Sequence, residues 1–153
     1  MKNLVLIYSA SLLCATLTKS ALADDNFCFA QASLRYRIPE SLLRAISKVE
    51  SGGNPAATHK NKNGSVDLGH MQVNSGWLPI LAQYNISKEQ LINPCTNTTV
   101  GAWILANNIY HMGYGWKAIG RYNAMSPAKA VAYSYKVAMA LRAETQKQES
   151  KVD

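Results

Sequence analysis

The stretch Pro39-Glu40-Ser41-Leu42-Leu43-Arg44-Ala45-Ile46-Ser47-Lys48-Val49-Glu50-Ser51-Gly52-Gly53-Asn54-Pro55 decides the fold class. Leu42, Leu43, Ile46 and Val49 recur at helical spacing and lay one apolar stripe along a helix. Pro39 suits the first helical position, and Gly52-Gly53 ends the helix. Glu50 therefore stands in the last turn, where unpaired carbonyls and the negative end of the macrodipole disfavour a charged carboxylate. Desolvation in a cleft acts in the same direction. A carboxyl with a raised pKa is what a general acid working near neutral pH requires. The plainer reading is a solvated glutamate at a helix end, and the residues C-terminal to it weigh against that.

Beyond Gly53 the composition changes to Asn, Gly, Lys, Ser and Pro as far as Asn74, with Asn54-Pro55 and Asn63-Gly64 as turn signals. A long loop, or a short hairpin about Asn63-Gly64, is expected there, and long ordered loops are often functional. Ser87-Lys88-Glu89-Gln90 fits a capping box, with Ile86 and Leu91 placed as its hydrophobic staple. A second long helix is expected from about Thr98 through Val100, Ile104 and Ile109 to Met112, ending at Gly113. A third starts with Ser126 as cap and Pro127 in its first turn, and carries Val131, Tyr135, Val137, Met139 and Leu141. The tail, residues 144–153, is polar and expected to fray. Helical periodicity with little strand pattern makes this a mainly α chain.

The segment before this core reads as an export signal. Met1-Lys2-Asn3 is followed by an apolar run from Leu4 to Leu17 and then Ala21-Leu22-Ala23, the order of a cleavable secretory peptide, with the cut expected after Ala23. The run is too short for a comfortable transmembrane helix, so no stable membrane insertion is expected once it is removed. Cys14 goes with this segment and leaves Cys28 and Cys95 in a chain bound for an oxidising compartment, which predicts a disulfide. His59, His70 and His111 are scattered without zinc-ligand spacing, and no metal is expected. Loss of Lys2 and Lys19 takes the formal charge of +7 to about +5, a surface suited to an anionic partner. The export signal argues against nucleic acid. With 153 residues in total, one compact domain over 24–143 accounts for the chain.

Three blocks carry a resemblance: Glu50-Ser51-Gly52-Gly53-Asn54-Pro55, Gly69-His70-Met71-Gln72-Val73-Asn74 and Arg121-Tyr122-Asn123-Ala124. In this order they resemble the soluble lytic transglycosylases, and the likeness runs from about Cys28 to Tyr135. It implies a lysozyme-like, goose-type single domain, with the long loop or small hairpin beside the cleft. Within that family the chain is similar to the small exported transglycosylases of type III and type IV secretion and conjugation systems. The stretches Asn63-Gly64-Ser65-Val66-Asp67-Leu68-Gly69 and Asn93-Pro94-Cys95-Thr96-Asn97 carry this second likeness. Two residues depart from the pattern: His70 fills a slot that is often apolar, and Met125 stands where many members have Gly.

The resemblance implies peptidoglycan glycan strands as substrate, components of a secretion apparatus as further partners, and no cofactor. Glu50 would be the single catalytic acid and base, protonating the bond between N-acetylmuramic acid and N-acetylglucosamine and then helping the muramic C6 hydroxyl close onto C1. The substrate's own N-acetyl group would assist, a departure from the two-carboxylate scheme. Asp67 is the alternative second carboxylate of a lysozyme-type hydrolase, although holding the turn beside Gly64 and Ser65 is its simpler role. Substrate contacts are expected from Ser51, Gln72 and Tyr122, with Met71 as an apolar wall and Asn123 beside the tyrosine. For Ser51, solvation of the helix end is the competing role; for Met71 it is packing, and for Asn123 backbone bonding. Asn74 is expected to cap the next helix, and Trp77, Trp103 and Trp116 are assigned to the core rather than the site. The same fold without catalysis would be a peptidoglycan-binding assembly module; the presence of Glu50 argues against it.

Overall fold

The computed structural model describes residues 26–149. The signal segment 1–23, its cut after Ala23, and the end of the tail lie outside the described residues. Helix α1 (Phe29–Tyr36) is followed by α2 (Glu40–Ser51), a three-stranded antiparallel sheet of β1 (Thr58–Lys60), β2 (Val66–Leu68) and β3 (Val73–Asn74), and then the short helices α3 (Leu78–Leu81) and α4 (Lys88–Ile92). Helices α5 (Pro94–Met112), α6 (Trp116–Asn123) and α7 (Pro127–Glu149) complete the fold. Helix α5 packs against α1, α4 and α6, and α7 packs against α2 and α6. The expected mainly α domain is therefore present, with the hairpin on its flank.

Helix α2 forms for the reason its sequence suggests. Leu42, Leu43, Ala45 and Ile46 are buried on one face, and Arg44 bonds Glu40 one turn back on the other. Pro39 sits at the N-cap, one place before its expected position. Gly52 takes φ 70°, and the amides of Gly52 and Gly53 return to the carbonyls of Lys48 and Ser47. Only a glycine takes this left-handed turn readily, so the helix ends at Ser51, the residue after Glu50.

The expected capping box is complete: Ser87 Oγ accepts from the amide of Gln90, and the Gln90 side chain accepts from the amide of Ser87. Helix α5 begins at Pro94, earlier than the expected Thr98, because Asn93 caps it by accepting from Thr96 and Pro94 needs no donor at N1. Its Asn97 is fully buried. The Asn97 side chain accepts from the amide of Met71 and donates to the carbonyls of Leu68 and Leu91, which pins the β2–β3 turn and α4 to α5. Gly69, with φ 72°, lies so close to this side chain that a Cβ would collide with it.

Helix α7 adds two facts that the sequence reading lacked. Of the apolar residues that the sequence places on it, Val137 is buried and Leu141 packs against the core, but Val131, Tyr135 and Met139 are 70%, 68% and 50% exposed. The inward face holds Ala130, Tyr133, Ser134, Val137 and Ala140 instead. Apolar residues lie on both sides of this helix, so periodicity alone does not choose between them. The close approach of α6 does: a Cβ on Gly120 would meet Ala130 O at 2.6 Å and Ser134 Oγ at 2.7 Å, a contact that admits only small residues. The helix also continues to Glu149 where a frayed tail was expected, because Glu144, Gln146, Lys147 and their neighbours favour a helix once a packed turn precedes them.

Cys28 and Cys95 form the expected disulfide, with Cα atoms 4.9 Å apart and a sequence separation of 67. A loop of this length corresponds to about 4 kcal/mol in the chain-entropy model. The bridge ties α1 to the start of α5. No helix of the described residues is long and apolar enough to cross a membrane.

Removing the Asn97 side chain leaves the Met71 amide and the Leu68 and Leu91 carbonyls buried without their partner. Asn97→Ala is expected to lower the unfolding free energy by about 3 kcal/mol, since each stranded backbone group costs about 1–3 kcal/mol and the site relaxes in part. A urea titration at constant disulfide state measures it.

Candidate active site

Glu50, at the end of α2, lies half-buried in an open cavity of about 890 Å³. The hairpin supplies one wall through Asn61, Asp67 and Gln72, and Tyr122 and Asn123 at the end of α6 supply another. Trp77 and Ile104 also line it. The volume is in the range of ordinary ligand sites, and the polar lining suits hydroxyl and amide groups.

Tyr133 donates to Glu50 Oε1 at 2.6 Å. Burial pushes the Glu50 carboxyl from 4.5 up to about 7; hydrogen bonds from Tyr133 and Asn123 oppose that rise, and the charge of Asp67 adds to it. Desolvation is thus the dominant cause, as expected for a carboxyl set into a cleft at a helix end. Burial also holds the phenols of Tyr133 and Tyr122 well above the ordinary tyrosine range, the nearby Glu50 charge adding to the effect. Both rings therefore stay protonated and act as donors.

The expected site residues separate into those that face the cavity and those that build it. Gln72 lines the cavity; its own backbone has φ 48°, and its side-chain amide donates to Gly69 O at 2.8 Å and Ala57 O at 3.3 Å. Asn123 is exposed at the rim and bonds the acid. Tyr122 lines the cavity, but its hydroxyl donates to Met71 O at 2.9 Å rather than to the acid. Ser51 donates to His70 O at 2.9 Å and, more weakly, to Ser47 O. Its hydroxyl bonds backbone, not Glu50.

Met71 has no exposed surface and packs against Gly101, whose absent side chain lets Met71 and the Tyr122 hydroxyl approach α5. The apolar wall expected of Met71 is instead formed by Ile104 and Trp77. Trp77, assigned to the core in sequence, packs edge-on against Trp103 with centroids 5.3 Å apart and still lines the cavity. Trp116 also departs from the core assignment, being 49% exposed. Asn74 caps the following 3-10 turn by accepting from Gly76, as expected.

Asp67 lies in the cavity wall with both oxygens engaged. Asn61 donates to Oδ2 at 2.9 Å and Asn74 to Oδ1 at 2.6 Å. It holds the hairpin, its simpler expected role, through the side-chain amides of these two asparagines. His70 is fully buried, with Nδ1 2.8 Å from Ser47 Oγ and Nε2 within 3.1 Å of Pro94 O and Thr98 Oγ1. Phe27 and Phe29 pack edge-on against its ring. A polar ring in an often apolar slot is accommodated because both nitrogens have partners.

Tyr133 is the functional residue that the sequence reading missed. The inward spacing of Ala130, Ser134 and Val137 is the signal that points to it, and the sequence reading named Tyr135 on this helix without Tyr133. Among the described residues no group of His, Cys, Asp and Glu is arranged to hold a metal ion.

The raised Glu50 pKa has a consequence for folding. Between the unfolded value of 4.5 and the folded value of about 7, the folded state holds the extra proton, so stability is full below 4.5 and declines as pH rises through 7. At 1.36 kcal/mol per pKa unit, the decline is at most about 3 kcal/mol. Glu50→Gln is expected to gain stability relative to the unsubstituted protein over this interval, read from denaturant midpoints at pH 4.5 and pH 8.

Residues 27–143 match the family model described as Transglycosylase SLT domain. Invasion protein IagB of Salmonella typhimurium is 42% identical over 103 residues, covering 67% of this chain and 64% of its own length. The chain thus matches a little under two thirds of that relative. Protein IpgF of Shigella flexneri is 43% identical over 104 residues, 67% of this chain and 68% of its own. A peptidoglycan-binding-like protein of Escherichia coli O157:H7 is 34% identical over 126 residues, 77% of this chain and 73% of its own. With the match covering most of the described fold and including every wall of the cavity around Glu50, the chain belongs to the transglycosylase SLT domain family.

Proposed function

We propose that this chain is a peptidoglycan lytic transglycosylase that cleaves the β-1,4 bond between N-acetylmuramic acid and N-acetylglucosamine and leaves 1,6-anhydro-N-acetylmuramic ends. The observation that carries the reading is the half-buried Glu50 carboxyl, raised to about 7 in an open polar cavity. Protonated, it donates to the glycosidic oxygen as that bond breaks. The carboxylate left behind then takes the proton of the muramic C6 hydroxyl as its oxygen bonds to C1, which returns Glu50 to its starting form. A pKa near the working pH serves both halves of such a cycle. Tyr133 donates to the carboxylate formed midway, and the substrate's N-acetyl oxygen shields the developing charge at C1.

The family, the expected signal segment and the basic surface support action in the periplasm on the wall. The name of the Salmonella relative, an invasion protein, supports a role in opening the wall locally for a secretion apparatus. Asp67 favours a second reading, a lysozyme-type hydrolase, because it shares the cavity and its charge acts on Glu50. Against this, a carboxylate whose two oxygens already accept from Asn61 and Asn74 is poorly placed to activate water.

Mass analysis of fragments released from purified peptidoglycan separates these readings. The mature protein is expected to release anhydro products, Glu50→Gln to lose about 10²-fold or more in rate, and Asp67→Asn to keep activity within about tenfold. Hydrated products, with Asp67→Asn as damaging as Glu50→Gln in a folded protein, would establish the hydrolase. Wall binding without any release would leave a binding module. The pH profile supplies a further check: kcat/KM is expected to fall as pH rises through about 7, where Glu50 loses its proton. Tyr133→Phe removes a bond that favours the carboxylate, so its fall should lie at higher pH.

A further inference from the structure

The cavity that holds Glu50 also holds two basic side chains, His59 and Lys62, which the reaction at the glycosidic bond does not use. Lys62 stands at the tip of the hairpin, next in sequence to Asn61, in a turn closed by Gly64 N donating to Asn61 O at 3.0 Å and Asn61 N donating to Ser65 O at 2.8 Å. Asn63 Oδ1 accepts from both the amide and the hydroxyl of Ser65, at 3.1 and 2.8 Å. The side chain of Lys62 therefore leaves from a fixed backbone. His59, on β1, lies opposite Asp67 on β2 in the strand register.

Two carboxylates share this cavity, and neither forms an ion pair with the lysine. Asp67 is occupied by Asn61 and Asn74, and Glu50 by Tyr133. Lys62 is exposed and, among the described residues, makes no ion pair with either. A cation so placed, on a rigid perch over a substrate cavity, is positioned to meet an anion of the substrate. The sugar backbone at the cleaved bond is uncharged, and the anions of peptidoglycan are the carboxylates of the peptide attached to the lactyl group at C3 of muramic acid. That peptide leaves the glycan beside the C1 that Glu50 serves.

We infer that Lys62, with His59 beside it, forms an anion subsite for the carboxylates of the muramyl peptide, so that this cavity favours peptide-bearing glycan over bare glycan. The inference rests on the transglycosylase reading above. Being solvent-exposed, the contact contributes a modest factor, about two- to fivefold in kcat/KM, and weakens with salt.

Two substrates test it: purified, uncross-linked peptidoglycan strands with their peptides, and the same strands stripped of peptide by an amidase, with the lactyl carboxylates so freed capped as neutral methylamides. For each protein the ratio of kcat/KM on the two is measured at low and high salt. The unsubstituted protein should prefer peptide-bearing strands by about two- to fivefold at low salt. Lys62→Ala should bring the ratio close to one, Lys62→Glu should bring it below one, and Lys62→Arg should restore the preference. Circular dichroism of each variant confirms the fold. If the unsubstituted protein cleaves both substrates but its ratio is near one, or if the Lys62 variants lose rate equally on both, the subsite is overturned and the transglycosylase reading stands. If it cleaves neither, the transglycosylase reading itself fails, and the subsite with it.

Discussion

Removal of one carboxyl group from water is the constraint on which the rest of this structure turns. Glu50 sits in the last turn of α2, and α7 brings Tyr133 against it. Without the close contact of α7 with α6 and α2, the carboxyl would be solvated and would titrate as an ordinary glutamate. The contact is made by small residues, Gly120 against Ala130 and Ser134, so the chemistry of the acid depends on residues that carry none of their own. Tyr133 opposes the effect of burial and keeps the carboxyl within reach of both protonation states near neutral pH.

The end of α2 is held just as firmly from the opposite side. Ser51 and Ser47 bond the backbone and ring of His70, whose other nitrogen meets the start of α5 at Pro94 and Thr98. Phe27 and Phe29 pack on that ring, and Cys28 between them is bridged to Cys95. A continuous set of contacts thus runs from the disulfide through a buried histidine to the residue after the acid. Met71 and Asn97 extend it: the Met71 carbonyl receives Tyr122, and its amide is bonded by Asn97. Ser51 and Met71 matter to the site through these bonds rather than through exposure to the cavity, and Tyr122 both makes such a bond and lines the cavity.

Much of this was legible in the sequence where one residue type answers one physical need. The stripe of Leu42, Leu43 and Ile46, the Gly52 stop, the capping box at Ser87 and the Asn63-Gly64 hairpin are local patterns whose cause lies within a few residues. The position of Glu50 followed from them. What was not legible depended on contacts distant in sequence. Helix α7 has apolar residues around much of its circumference, and only its contact with Gly120 decides that Tyr133 faces inward and Tyr135 outward. Trp77 reads as core from its aromatic character, and it both packs on Trp103 and lines the cavity. Asp67 reads as a turn residue or a second acid, and which amides hold it emerges only when Asn61 and Asn74 are brought together by the sheet.

The direct measurement is the titration of Glu50 itself. Protein carrying carboxyl-¹³C glutamate, with the Glu50 resonance assigned by its loss in Glu50→Gln, would be followed by NMR across the acid and neutral range. A midpoint at about 7 is the result that burial beneath α7 requires. A midpoint near the ordinary 4.5 would mean that the carboxyl is solvated and ionised at neutral pH, and Glu50 would not be the proton donor of this cavity.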